Sequence, residues 1–110
     1  MMDNMIEIDG AEAFDREVLS AGGPVVVTFY ADWCGDCRQA SPGLSALAGE
    51  FGGRLKFVKV EDSHRDIEQR CGVRPIPTVL IFRNGKEVRR WVNVKDPAAY
   101  RDAFAELAKP

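Results

Sequence analysis

Apolar positions along the chain alternate between two periods, and the changes of period divide it into elements. Ile6 and Ile8 flank Glu7 as a short alternating strand. Asp9, followed three residues later by Glu12, resembles a helix-capping pair. Phe14, Val18 and Leu19 then make an apolar stripe that Gly22-Gly23-Pro24 stops. Pro24 to Tyr30 is a continuous apolar, β-branched run and predicts a buried strand. Gln39 to Phe51 is rich in Ala and Leu and predicts a helix, kinked at Pro42, because Leu44, Leu47 and Phe51 continue its apolar face.

Leu55 to Val60 is a second strand pattern in which Phe57 shares a face with Lys59, so Lys59 is expected to point partly inward. Arg65 to Cys71 predicts a short helix closed by Gly72. Val73 to Pro77 contains two prolines and cannot be helix or central strand. Thr78 to Phe82 and Val88 to Val92 read as strands joined at Asn84-Gly85, a strong hairpin signal. Asp96-Pro97 starts a last helix carrying Tyr100, Ala103, Phe104 and Leu107 at helical spacing. The order βαβαβα then ββα predicts an α/β fold with a mixed sheet of about five strands and about four helices. At 110 residues, the chain suits one domain over 1–110.

Trp33-Cys34-Gly35-Asp36-Cys37-Arg38 falls between the buried strand and the helix after it. A helix start carries unpaired backbone N–H groups and a partial positive charge, and both favour the thiolate form of Cys34. Cys37 follows on the same helix face, and a helical i, i+3 pair has Cα atoms about 5–6 Å apart, within disulfide range. This is the pattern of dithiol–disulfide chemistry. A zinc half-site would need two more ligands at recognisable spacing, and His64 and Cys71 form no second knuckle.

Trp33-Cys34-Gly35-Asp36-Cys37, with Ile76-Pro77-Thr78 downstream, resembles the thioredoxin family over nearly the whole chain. The resemblance implies a thioredoxin fold, with Cys34 as attacking thiolate and Cys37 as resolving thiol. It implies a cis Pro77 facing the cysteines, Ile76 offering its backbone to substrate, and Trp33 and Gly35 bordering the site. It also implies disulfide-containing protein substrates, electrons from a thioredoxin-reductase-like flavoprotein, a monomer, and no cofactor or metal beyond a reversible Cys34–Cys37 disulfide.

Several residues depart from the family pattern. Thr28 stands where the family places a buried aspartate that helps move the resolving thiol's proton, and Lys59 stands where the family has that aspartate's partner. Lys59 is expected either to pair with Glu61, on the same strand face, or to reach solvent. Asp36 replaces a proline, and its charge is expected to repel the Cys34 thiolate and make the couple a stronger reductant. Asn93 replaces a groove-lining glycine, Pro75 a small residue and Cys71 an aromatic one. Cys71 is expected to be a buried or half-buried thiol outside the redox cycle, and Trp91 to pack in the sheet. The departures point to a specialised member.

Composition narrows the picture further. A net charge of −2 argues against nucleic acid or an anionic membrane as partner. No run is apolar enough to span a bilayer, and Met1-Met2-Asp3-Asn4-Met5 lacks the features of a secretory signal. Three cysteines, an odd number, suit a reducing compartment, so a cytoplasmic location is expected. A protein-disulfide reductase is the leading function. The alternatives are a thioredoxin-fold module that binds a partner, or a thiol oxidant or isomerase.

Overall fold

The computed structural model describes all 110 residues. Its elements are β1 (Ile6–Glu7), α1 (Ala11–Phe14, continued by a π turn over Asp15–Leu19), β2 (Val25–Tyr30), α2 (Gly35–Phe51), β3 (Lys56–Glu61), α3 (Arg65–Cys71), β4 (Thr78–Arg83), β5 (Lys86–Val92) and α4 (Ala98–Leu107). The strands form one sheet in the order β1-β3-β2-β4-β5. β3 runs parallel to β1 and β2, whereas β4 is antiparallel to β2 and to β5, so the sheet is mixed.

β2 is central and every one of its residues is buried, Thr28 included, as expected of a strand covered on both faces. Alternation along the strands separates two cores. Val26, Phe57, Val79 and Ile81 face α2 and α4, where Phe51, Tyr100 and Phe104 pack. Val25, Val27, Phe29, Val58, Val60 and Leu80 face α1 and α3, where Phe14, Val18 and Ile67 pack. In the first core Phe104 meets Phe57 edge-on at 5.5 Å and Trp91 at 6.0 Å, the geometry that ring quadrupoles favour. Trp91 is therefore a packing residue.

The turn signals act as their chemistry requires. Asn84 and Gly85 take φ of 53° and 76°, the left-handed pair that closes a two-residue hairpin with matching twist. Gly72 ends α3 at φ 63°. Between Ile81 and Phe82 the β4–β5 register shifts, so Val88 has no partner residue on β4. Asp96 stands just outside α4, and its carboxylate accepts from the Ala98 N–H at 3.0 Å.

Two expectations are corrected. Gly10, not Asp9, occupies the cap position of α1, with no side-chain cap bond. The site helix begins at Gly35 rather than Gln39; that it continues past Pro42 is as its apolar face predicts. Gly-Asp-Cys is a poor helix sequence by propensity, but Cys34 supplies the cap that starts the helix there.

Glu68 on α3 is only 5% exposed, and its Oε2 has no hydrogen-bond partner. Burial, reinforced by the Asp62 carboxyl, pushes the Glu68 carboxyl up to about 7, with Arg65 pulling the other way. The folded state therefore holds a proton between about pH 4.5 and 7 that the unfolded chain has lost. This contribution to stability is complete below about pH 4.5 and disappears as pH rises through 7. Glu68→Gln keeps the shape without the charge. It is expected to add about 1–2 kcal/mol at pH 8 and little at pH 4.5. Thermal melts at the two pH values check this, and equal gains at both would remove the carboxylate as the cause.

Candidate functional site

The candidate site lies where the central strand ends and α2 begins. Cys34 is the N-cap of α2, with an extended backbone at φ −85° and ψ 118°. Its Sγ accepts the Cys37 backbone N–H at 3.2 Å, using the sulfur as the capping acceptor that Ser or Asp supplies elsewhere. An N–H aimed at this atom from the positive end of a 17-residue helix is an arrangement that holds negative charge on sulfur. Cys34 is 8% exposed and Cys37 is fully buried. Both are free thiols, as is the half-buried Cys71.

Burial, together with the hydrogen bond to Cys34, pushes the Cys37 thiol up to about 12. The two sulfurs thus differ in character. One caps a helix and keeps a little exposure, and the other is a fully buried thiol that resists ionisation.

A second segment closes the site from the far side. The Ile76–Pro77 peptide is cis, and the Ile76 carbonyl lies 3.7 Å from Cys34 Sγ, accepting from the thiol. Asn93, at φ 57°, donates its N–H to the Pro77 carbonyl at 2.8 Å and ties the end of β5 to this loop. Asparagine tolerates the left-handed region, so the chain keeps there a conformation that glycine takes without cost. Trp33 is 69% exposed beside Cys34 and forms an apolar surface. A Cβ at Gly35 would meet only the Arg38 guanidinium, at 3.8 Å, so the helix start is open to approach.

The charged residues are arranged differently from what sequence reasoning suggests. Lys59 does not pair with Glu61, whose carboxylate accepts from the Ser63 N–H at 3.0 Å. Lys59 instead donates to the Met1 carbonyl at 2.9 Å, lies 3.8 Å from the Glu7 carboxylate and sits over the Tyr30 ring. β1 pairs with β3 at Glu7↔Lys59, which brings Glu7 within reach. Thr28 lies beside Lys59 in the β2–β3 register, is fully buried, and its Oγ1 has no partner. Asp36 is not a free charge either, because Lys95 reaches its Oδ1 at 3.3 Å. Lys95 carries no sequence signal for that role, being 59 residues away.

No group of three or more His, Cys, Asp or Glu side chains converges as a metal site. No helix is long and apolar enough to cross a membrane.

Comparisons with known proteins agree with this geometry. The thioredoxin family model matches residues 5–106. The chain is 37% identical to the thioredoxin of Pseudomonas aeruginosa over 86 residues, covering 77% of this chain and 79% of that one. It is 41% identical to thioredoxin 1 of a Nostoc species over 76 residues, 68% of this chain and 71% of that one. Among solved structures, Malassezia sympodialis thioredoxin superposes with a TM-score of 0.86 at 28% identity, covering 96% of this chain and 91% of that one. A Halobacterium salinarum thioredoxin variant gives a TM-score of 0.83 at 27% identity, covering all of this chain and 96% of that one.

Proposed function

This chain belongs to the thioredoxin family of thiol–disulfide oxidoreductases, and we propose that it works as a protein-disulfide reductase. The observation that carries the proposal is the Cys37 N–H held 3.2 Å from Cys34 Sγ at the start of α2.

In this reading the Cys34 thiolate attacks one sulfur of a substrate disulfide. The substrate S–S bond breaks, the departing sulfur takes a proton, and Cys34 is left in a mixed disulfide. Cys37 then gives up its proton and attacks Cys34 Sγ. The mixed disulfide breaks, the second substrate thiol leaves protonated, and a Cys34–Cys37 disulfide remains. Two electrons pass to the substrate, with one proton from Cys37 and one from solvent.

The difference between the two thiols suits this order. Cys37, pushed up to about 12 by burial, stays protonated until the mixed disulfide makes the neighbouring Cys34 Sγ an electrophile. Trp33, Gly35 and the Ile76 backbone before cis-Pro77 would meet an extended substrate segment. Electrons would return from a thioredoxin-reductase-like flavoprotein. The chain acts as one domain, as a monomer in the cytoplasm, with the dithiol as its only redox group.

A binding module is the second reading, favoured by the titration-silent Thr28 and by the asparagine side chain at position 93. Reduction of insulin by dithiothreitol separates the two. The reductase reading expects the wild-type protein to accelerate insulin precipitation severalfold over dithiothreitol alone. No acceleration, with the protein folded and its thiols free, would overturn it.

A further inference from the structure

The charge beside the dithiol is balanced across two elements. Asp36 stands in the first turn of α2, between the two cysteines in sequence, and is one of the charges that hold the Cys37 thiol up, after burial and the Cys34 hydrogen bond. Lys95, in the link from β5 to α4, places Nζ 3.3 Å from Asp36 Oδ1. The other cation near the helix start, Arg38, is committed elsewhere, since its Nη1 donates to the Asp32 carbonyl at 3.0 Å. Asp36 has no other ion-pair partner.

We propose that Lys95 is a positioning residue for the redox step, which offsets the Asp36 carboxylate and thereby sets how readily the Cys34–Cys37 disulfide is reduced. The inference rests on the reductase reading for its use, but its chemistry concerns only the couple. Reduction takes two electrons and breaks the S–S bond, and with Cys34 left as thiolate it takes one proton, onto Cys37. Negative charge thus appears at the helix start only in the reduced form. An unscreened Asp36 would disfavour that form, and a lysine paired to Asp36 restores it. The pair is partly exposed, so the expected effect is modest and salt-sensitive.

The experiment is redox equilibration with glutathione buffers, reading the dithiol fraction of the wild type, Lys95→Gln, Lys95→Arg, Asp36→Asn and the Asp36→Asn/Lys95→Gln double variant. Lys95→Gln is expected to lower the equilibrium constant for reduction about threefold, equivalent to about 14 mV more negative for a two-electron couple. Lys95→Arg should keep the wild-type value, and Asp36→Asn should shift it the other way. In the Asp36→Asn background, the Lys95→Gln shift should fall below half, because no carboxylate holds the lysine at the helix start. Raising salt from about 0.1 to about 1 M, which shortens screening from about 10 to about 3 Å, should shrink the single-variant shift. An unchanged constant in Lys95→Gln, or the same shift with and without Asp36, would overturn the proposal. Insulin turnover is scored separately. If the wild type fails to reduce insulin while the constants shift as stated, the reductase reading falls and the role of Lys95 stands.

Discussion

Cys37→Ser is expected to stop the protein halfway through its reaction. Cys34 still attacks, because its cap position and the backbone N–H that faces it do not depend on the Cys37 side chain. The second displacement then has no thiol to perform it. That displacement is fast in the wild type because attacker and target are three residues apart on one helix turn, and well-oriented intramolecular reactions reach effective molarities of about 10⁵ M or more. Turnover with insulin should therefore fall to the dithiothreitol background, a loss of about 100-fold or more in the protein's own rate. Without reductant, the variant should accumulate covalent adducts with disulfide-bearing proteins that dithiothreitol releases. Cys34→Ser should form none and should match the dithiothreitol background. Gels run with and without reductant read both outcomes. Undiminished turnover in Cys37→Ser, or adducts that persist in Cys34→Ser, would remove the assigned order of attack.

Thr28→Asp is expected to exchange faster and to fold less stably. The position is fully buried, its Oγ1 has no partner, and Lys59 lies beside it in the sheet register. By strand alternation it shares the face of Val26, whose packing cluster includes Cys34 and Cys37. A carboxylate there would draw Lys59 away from Glu7 and the Met1 carbonyl and could take the Cys37 proton. The resolving step should gain about 10- to 100-fold, at or below the usual range for general base catalysis, with one new ionisation in its rate–pH profile. Burying the carboxylate should cost about 1–3 kcal/mol. A buried carboxyl ionises above its unfolded value, so that loss grows as pH rises and is absent once the group is protonated. Stopped-flow exchange across pH and denaturant melts supply both readings. A rate unchanged at every pH would show that another group already accepts the proton.

What could be read from the sequence was local. β2, the Asn84-Gly85 hairpin and the Gly72 helix stop follow from the period and chemistry of a few neighbouring residues, and the structure has them in place. The meeting of the two cysteines at a helix start is also local, because the spacing itself puts them there. By propensity alone the helix reads only from Gln39, because its first turn depends on a capping sulfur.

The partners of charged residues were not legible at all. Lys59 finds the Met1 carbonyl 58 residues away, and Asp36 finds Lys95 at 59. Both contacts are made by the topology: β1 reaches the edge beside β3, and the β5–α4 link returns over the start of α2. No local pattern carries such pairings. Glu68 was missed for a similar reason, since a glutamate in a short helix reads as a solvated face until neighbouring elements cover it.

The central claim is that one reversible disulfide, Cys34–Cys37, carries the electrons. The direct measurement is to oxidise the reduced protein, alkylate the remaining thiols and map the bonded cysteines by peptide mass. The expected product is a monomer with Cys34 bonded to Cys37 and Cys71 alkylated, all three thiols returning on reduction. A bond from Cys71 to either site cysteine, or a Cys71-linked dimer as the main product, would contradict it.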